Sequence, residues 1–213
     1  MGGRVPPWPV PLSRRLVLAS ASVARRRLLE QAGFAPTTQV SGVNEEDLAE
    51  GLTADQVACT LAERKAQSVA GSLPADCRGA VVVGCDSVLA FEGAVLGKPI
   101  DADDAMLRWQ AMRGGYGVLV TGHCVIDTAR DGAEATAAAS TVVHFGEPSD
   151  DEIRAYVATG EPLGVAGAFT LDGRSGPFID SIEGDPSNVI GLSLPLFRDL
   201  LGELGVTIME LWA

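Results

Sequence analysis

Two hydroxyl side chains and an arginine lie where a predicted strand gives way to a predicted helix near the start of the chain. The apolar run Leu16 to Ala19 is followed by Ser20, Ser22 and Arg25, and residues 22–32 have a pattern typical of a helix. The first N–H groups of a helix are unpaired and favour an anion, and hydroxyl and guanidinium groups add donors. The pattern indicates a phosphate site, but it also fits a plain helix cap beside solvated arginines.

Three arginines follow these serines, at positions 25, 26 and 27. Successive residues of a helix diverge by about 100°, so the three side chains cannot share one ligand. Arg25 lies closest to the serines and is placed with them. Arg26 and Arg27 are predicted to lie on the surface.

The carboxylate of Asp86 directly follows an apolar run, residues 80–84, that is typical of a buried strand. A second strand is predicted at residues 87–91, with Asp86 between the two. A charge in such a place is costly unless it holds a metal, a water or a cationic partner. Asp86 is therefore a candidate general base or metal ligand, and an aspartate that only bonds its own turn is the alternative.

Only two of the 16 basic residues are lysines, namely Lys65 and Lys98. Lys65 lies on a helix predicted from the capping box at residues 53–56. Lys98 lies in a loop that resembles a phosphate loop but is one residue short, and Pro99 stands where Ser or Thr would bind magnesium. Each lysine offers a compact ammonium that can neutralise a phosphate. Glu45 is a further acid on a predicted loop, where a solvated role is the simpler interpretation.

Composition limits the class of protein. The chain has 213 residues and a formal net charge of −12, which argues against a nucleic-acid coat or attachment to an anionic membrane by charge. No run of about 18 apolar residues predicts a membrane span. The four cysteines form no CxxC pair, which favours reduced thiols in a cytoplasmic protein. Residues 1–13 contain four prolines and no apolar stretch typical of a signal peptide, so they are predicted to be a flexible tail.

Strands and helices alternate through residues 14–213, which are predicted to form one domain of mixed α/β type. Beyond the elements above, the predicted ones are a hairpin turn at Glu92-Gly93, a helix over 101–112, a hairpin around Asp131-Gly132, a helix over 149–159, a short hairpin of 165–171 with 178–182, and a helix over 194–204. His123 and His144 fall on predicted strands, where they are read as packed or exposed strand residues.

Eight motifs, in this order, resemble the Maf family of nucleotide pyrophosphatases. They are LVLASASVARRRLLEQAGF, LAERKA, VVVGCDS, VLGKP, VTGH, TGEP, VAGAFTLDG and GDPSNVIGLSLP. The resemblance implies a mixed, strongly twisted central sheet with flanking helices and two lobes around a cleft. It also implies hydrolysis of a nucleoside triphosphate to the monophosphate and pyrophosphate, a divalent cation (Mg²⁺ or Mn²⁺), and often a homodimer.

The resemblance also assigns roles to the residues singled out above. Asp86 corresponds to the proton acceptor for the attacking water, and with Glu45 it is the expected metal ligand. Ser20, Ser22 and Arg25 correspond to the phosphate loop, Glu45 to a loop glutamate, and Lys65 and Lys98 to the two lysines.

Several positions depart from the family pattern. Those that matter most are Ala24, in place of an arginine, Ser87, in place of Thr or Gln, and Asp172, in place of Gln. The family uses these three positions for base selection. Because these positions differ here, the resemblance does not tell whether the base preference is that of the dTTP/UTP type or that of the 7-methyl-GTP type.

Three functions are compared. The first is a pyrophosphatase that removes unwanted or modified nucleotides. The second is a nucleotide-binding regulator of septum formation with little turnover, which the loss of a loop arginine at Ala24 favours. The third, a phosphatase with an aspartyl nucleophile, requires a second Asp that Asp86-Ser87-Val88 lacks.

Overall fold

The computed structural model describes residues 14–45, 48 and 51–213, so the predicted tail at residues 1–13 lies outside the described part. The strands are β1 (Leu16–Leu18), β2 (Thr37–Thr38), β3 (Val81–Phe91), β4 (Ala94–Leu96), β5 (Tyr116–Asp127), β6 (Ala133–Phe145) and β7 (Ile179–Glu183). The helices are α1 (Val23–Gln31), α2 (Ala54–Ser72), α3 (Ala102–Met112), α4 (Asp150–Ala158), α5 (Pro186–Ile190) and α6 (Leu194–Glu203).

The seven strands form one mixed sheet in the order β2-β1-β3-β5-β6-β7, with β4 also paired to β3. Strand β1 runs parallel to β2 and β3, and the other pairs are antiparallel. Helices flank this sheet, and the predicted mixed α/β fold is confirmed.

Helix α2 packs directly on β3 and β5. A methyl group built on Gly122 would lie 2.2 Å from the backbone carbon of Ala58, and one built on Gly84 would lie 2.4 Å from the backbone oxygen of Ala62. Contacts that short do not occur, so glycine is required for the helix to lie this close to the sheet. This close packing of α2 on the sheet sets the distance between Lys65 and β3.

The apolar interior has two main parts. One joins β1 and the start of β3 to α6, with Leu18, Val83 and Phe197 fully buried. The other surrounds Trp109 of α3, which packs edge-on against Phe145 and Tyr156 at centroid distances of 5.8 and 5.7 Å. These edge-to-face contacts suit the aromatic quadrupole. Residues from both parts line one cleft.

The predicted break in the strand at Asp86 is wrong, since β3 runs without interruption from residue 81 to 91. On one edge of β3, β1 pairs with residues 81–83 and β4 with residues 89–91. Within the described residues, no strand pairs with residues 84–88 on that edge. Polar side chains therefore fit in the middle of a buried strand because the sheet is open there.

The predicted hairpin of residues 165–171 with 178–182 is also wrong. Residues 166–168 form a 3₁₀ turn in which Gly167 and Ala168 have φ values of 68° and 63°, and the Trp109 side chain donates to the Ala168 carbonyl at 2.8 Å. Strand β7 pairs with β6 instead. A left-handed backbone ends a strand, and the sequence pattern alone did not show it.

Candidate active site

A cleft of about 1310 Å³ opens beside the unpaired stretch of β3. Its walls contain every residue predicted for the site, namely Ser20, Ser22, Ala24, Arg25, Glu45, Lys65, Asp86, Ser87, Lys98 and Asp172. These residues come from the β1–α1 loop, the first turn of α1, the segment before α2, α2 itself, β3, the β4–α3 loop and the segment after α4. The fold thus brings residues that are far apart in sequence to one cavity.

Asp86 and Lys65 form a buried ion pair at the floor of the cleft. Lys65 Nζ lies 2.5 Å from Asp86 Oδ1, and the two residues are 7% and 8% exposed. Lys65 reaches β3 because the glycine contacts hold α2 against the sheet. A buried charge is tolerated when it is paired and hydrogen-bonded, and no hydrogen bond from a described residue reaches the second oxygen, Asp86 Oδ2.

Glu45 joins this pair from the segment before α2. Its Oε1 lies 2.7 Å from Lys65 Nζ, and its Oε2 lies 3.4 Å from Lys98 Nζ. Burial alone would raise the pKa of Glu45, but the two lysines outweigh it and hold the pKa below its usual value. Glu45 is therefore ionised at neutral pH, and Lys65 bridges two carboxylates.

The serines and Arg25 pack together at the start of α1. Ser22 Oγ accepts from the Arg25 backbone N–H at 3.3 Å, so Ser22 caps the helix, while Ser20 Oγ accepts from the Ser22 N–H at 3.1 Å. The Arg25 guanidinium donates from Nη1 to Ser20 Oγ at 3.3 Å. Arg26 instead pairs with Glu30 on the surface, as predicted from the 100° spacing.

Asp86 and Ser87 are neighbours in sequence but point to opposite faces of the sheet, as the strand period of two requires. Asp86 meets Lys65, whereas Ser87 Oγ accepts from Arg25 Nη2 at 3.0 Å and lies 2.9 Å from Thr121 Oγ1. The open edge of β3 lets side chains from both faces reach the same cleft.

Sequence reasoning assigned no site role to Gly191 or Thr121. The Gly191 carbonyl accepts from Arg25 Nε at 2.6 Å, and its φ of 121° is a conformation that favours glycine. A methyl group at Gly191 would lie 3.0 Å from Arg25 Nε. The glycine within GDPSNVIGL was the available signal, because a position that needs both this φ and a close approach accepts little else.

His123 is buried beneath the same loop. Its Nε2 accepts from the Ser193 backbone N–H at 2.7 Å, and its Nδ1 lies 3.0 Å from the Thr121 carbonyl. Since the backbone N–H can only donate and the carbonyl can only accept, the ring is neutral with its proton on Nδ1. Burial and then the charge of Arg25 lower the pKa of His123 to about 4. His144 lies apart, paired with Glu183, so the two histidines form no catalytic pair.

The cysteines offer no nucleophile or metal ligand here. All four are free, and burial raises the pKa of Cys85 and of Cys124 to about 12. A thiol with so high a pKa is not ionised at neutral pH. In the part of the chain that the structure describes, no three His, Cys, Asp or Glu side chains form a ready-made metal cluster.

Asp172 lies on the wall of the cleft and is exposed. Its segment is held by Glu161, whose Oε1 accepts from Thr170 Oγ1 at 2.7 Å and from the Arg174 N–H at 2.9 Å. Glu161 therefore shapes this wall from behind.

The cleft combines three cationic side chains with one carboxylate oxygen that has no hydrogen-bond donor among the described residues. Arg25, Lys65 and Lys98 line it in a chain whose net charge is −12. Three carboxylates, on Glu45, Asp86 and Asp172, line the cleft as well, so the charges of its side chains balance. Cations held in a concave site stabilise charge that develops on phosphoryl oxygens. The free oxygen of Asp86 suits a water or a cation.

Comparisons with known proteins identify chains similar to this one. Proteins named nucleoside triphosphate pyrophosphatase are 62% identical over 200 residues in Streptomyces coelicolor, covering 94% of this chain and 95% of that protein, and 56% identical over 203 residues in Salinispora tropica, covering 95% and 89%. One from Nocardia farcinica is 50% identical over 208 residues, covering 94% and 98%. A crystal structure of a nucleoside-triphosphatase / dITP/XTP pyrophosphatase from Mycobacterium abscessus aligns over 62% of this chain and 72% of that chain, with 18% identity and a TM-score of 0.34, which is too weak to support an inference.

Among the described residues, no helix combines the length and apolar character that a membrane span requires. The family model described as Maf-like protein matches residues 15–204, a range that contains every residue of the cleft named above. The chain belongs to the Maf-like protein family.

Proposed function

We propose that the protein is a nucleoside triphosphate pyrophosphatase, which hydrolyses a nucleoside triphosphate to the monophosphate and pyrophosphate. The observation that carries the proposal is the buried pair of Asp86 and Lys65, at 2.5 Å, with Arg25 and Lys98 in the same cleft. The names of the relatives at 50–62% identity support it. Hydrolysis of a phosphoanhydride requires a positioned water, a carboxylate and cations, and the cleft contains all the protein groups of that set.

Asp86 acts as the general base. Lys65 holds Oδ1, so Oδ2 is left to accept a hydrogen bond from the attacking water and then its proton. The lysine compensates the carboxylate charge at a buried position and fixes its orientation. Arg25, Lys65 and Lys98 neutralise charge on the phosphate oxygens. Arg25 and Lys65 are held by hydrogen bonds before substrate binds, so they need little reorganisation. Ser20 and Ser22 line the same end of the cleft.

Asp86 and Glu45 would hold the divalent cation. Magnesium is usually bound by one or two carboxylates together with substrate phosphates and waters, so two carboxyl side chains beside a phosphate site fit Mg²⁺ or Mn²⁺. The ion would supply charge neutralisation at the phosphate oxygens. Removal of divalent cations with a chelator is expected to abolish turnover, and full activity in excess chelator would contradict this part of the proposal.

The base end of the cleft is where non-canonical or modified nucleotides would be distinguished. Ala24 and Asp172 line the cleft and differ from the residues of both familiar subgroups, so a distinct preference is proposed. The homodimer, the cytoplasmic location and the single domain over residues 14–213 stay predictions.

The decisive experiment is a pyrophosphate-release assay over canonical, methylated and oxidised nucleoside triphosphates. The variant Asp86→Asn is expected to lose at least about 100-fold in kcat, because it removes the general base but keeps the shape. Asp131→Asn makes the same chemical change in an exposed hairpin turn with φ 51°, which asparagine tolerates, and is expected to keep full activity.

Two results would contradict the proposal: release of single phosphates, or activity unchanged in Asp86→Asn. Tight nucleotide binding without turnover across the whole panel would favour the alternative, a nucleotide-binding regulator of septum formation. The replacement of a loop arginine by Ala24 is the observation that keeps this alternative open.

A further inference from the structure

A chain of hydroxyl groups leads from Arg25 into the buried side of the sheet. Ser87 and Thr121 are directly paired across β3 and β5, and their hydroxyl oxygens lie 2.9 Å apart. Thr121 Oγ1 also lies 3.1 Å from the Asn188 carbonyl oxygen. Thr121 is fully buried and does not line the cleft, so it cannot touch a substrate.

The Asn188 carbonyl at the end of this row of hydroxyl groups fixes which group donates in each hydrogen bond. The Asn188 carbonyl can only accept, so the single proton of the Thr121 hydroxyl is donated to it. Thr121 Oγ1 must then accept from Ser87, whose own proton is used in that bond. Ser87 Oγ is left with lone pairs alone, and these accept from Arg25 Nη2 at 3.0 Å.

This arrangement determines how the guanidinium is oriented. Of the five N–H donors of arginine, three are taken by protein acceptors, one each on Gly191, Ser20 and Ser87. The remaining donors, one on each terminal nitrogen, are left for phosphate oxygens. The backbone just after Gly191 is fixed too, because His123 accepts from the Ser193 N–H.

We propose that Thr121 is a positioning residue that acts through Ser87 to orient Arg25 toward the phosphates, and that Ser87 serves the phosphate end of the site and not base selection. The proposal rests on the proposed function for its kinetic consequences. It revises the role that family resemblance gives to position 87, and the reason is that the Ser87 hydroxyl is already committed to the arginine.

Inorganic tripolyphosphate is the most direct probe, because it carries the phosphates and no base. Its affinity is measured by calorimetry for Ser87→Ala, Thr121→Val and Thr121→Ser. Val removes the hydroxyl with little change of shape, and Ser restores it. We expect Ser87→Ala and Thr121→Val each to weaken binding by about 5- to 10-fold, and Thr121→Ser to stay within about twofold of the natural protein.

A double-mutant comparison separates positioning from a general structural effect. In an Arg25→Ala background, Thr121→Val is expected to cause no further loss of tripolyphosphate affinity or of kcat/KM, since the residue it acts through is gone. Thermal unfolding of each variant is measured alongside. An equal loss in both backgrounds would show that Thr121 supports the fold only, and would overturn the proposal.

A second result would overturn the role of Ser87: unchanged tripolyphosphate affinity in Ser87→Ala, with an altered order of preference among nucleotide bases. If the natural protein released no pyrophosphate from any nucleotide, the proposed function would fail, but the binding measurements would still decide this inference. The two failures are therefore distinguishable.

Discussion

Replacement of Gly122 by alanine tests how closely α2 must approach the sheet. The added methyl group would lie 2.2 Å from the Ala58 carbonyl carbon and 2.5 Å from the Cys59 nitrogen, where ordinary contact begins at 3.4 Å. Both atoms belong to the helix backbone and cannot rotate away. Helix α2 must therefore retreat by about 1 Å at this point, and a close-packed interior resists such a shift.

The retreat has two consequences, one for stability and one for catalysis. Overpacking of a well-packed core costs about 1–3 kcal/mol, which lowers the unfolding midpoint by roughly 3–10 °C for a chain of this size. Lys65 lies on the same helix and is held 2.5 Å from Asp86. A displacement of about 1 Å in a catalytic constellation can cost about 100-fold in rate, so kcat should fall by at least about 10-fold.

Calorimetry and the pyrophosphate-release assay measure these two effects. Gly71→Ala is the matched control, because Gly71 lies on the same helix, is exposed and has nothing within 4 Å of its added methyl group. It should keep full activity and gain up to about 0.5 kcal/mol from the better helix former. A Gly122→Ala protein with the natural unfolding midpoint and the natural kcat would refute the reasoning.

Three further predictions concern stability and the wall of the cleft. The pKa of His123 is about 4 in the folded protein and about 6.5 in the unfolded chain, so this residue should stabilise the fold fully above about pH 6.5 and lose that contribution, about 3 kcal/mol in all, as the pH falls toward 4. Urea unfolding measures the free energy of unfolding at about pH 7 and at about pH 5, and the difference between the two values should be smaller in His123→Gln than in the natural protein. An equal difference in the two proteins would contradict the assignment. Asp127→Asn should lower the free energy of unfolding by about 3 kcal/mol, because it leaves Arg14 without its buried carboxylate partner; kcat, measured on the folded protein, should not change, since Asp127 lies outside the cleft lining. Glu161→Ala removes the acceptor for Thr170 and should raise KM by about 3- to 10-fold with kcat within about twofold, whereas an unchanged KM would show that Glu161 does not shape the cleft wall.

Local features were predicted correctly wherever a few neighbouring residues decide them. Thr53, Asp101 and Ser149 begin helices with the expected side-chain caps. The turns at Glu92-Gly93 and Asp131-Gly132 connect the predicted hairpins and have positive φ at both positions. These outcomes depend on hydrogen bonds and backbone preferences within four or five residues, so the sequence itself contains them.

The errors share one cause, which is that distant partners override a local pattern. Asp86 and Ser87 were predicted to interrupt a strand, but β3 continues through them because β5 pairs with it along residues 81–90. On the other edge, β1 and β4 leave the middle of β3 open. Residues 165–171 have the composition of a strand, yet Trp109 fixes Ala168 in a turn. Neither partner can be identified from the residues it acts on.

The sequence by itself determined which residue types are available and where the phosphate end of the site begins, because a strand, two serines and an arginine at a helix start are a local arrangement. Only the tertiary structure decided what those residues touch. Adjacent side chains at 86 and 87 point to opposite faces, one to Lys65 and the other to Arg25. One of the acceptors that hold Arg25 is the carbonyl of Gly191, 166 residues along the chain. A strand alternates its faces by geometry, but which helix or loop covers each face depends on how the whole chain packs.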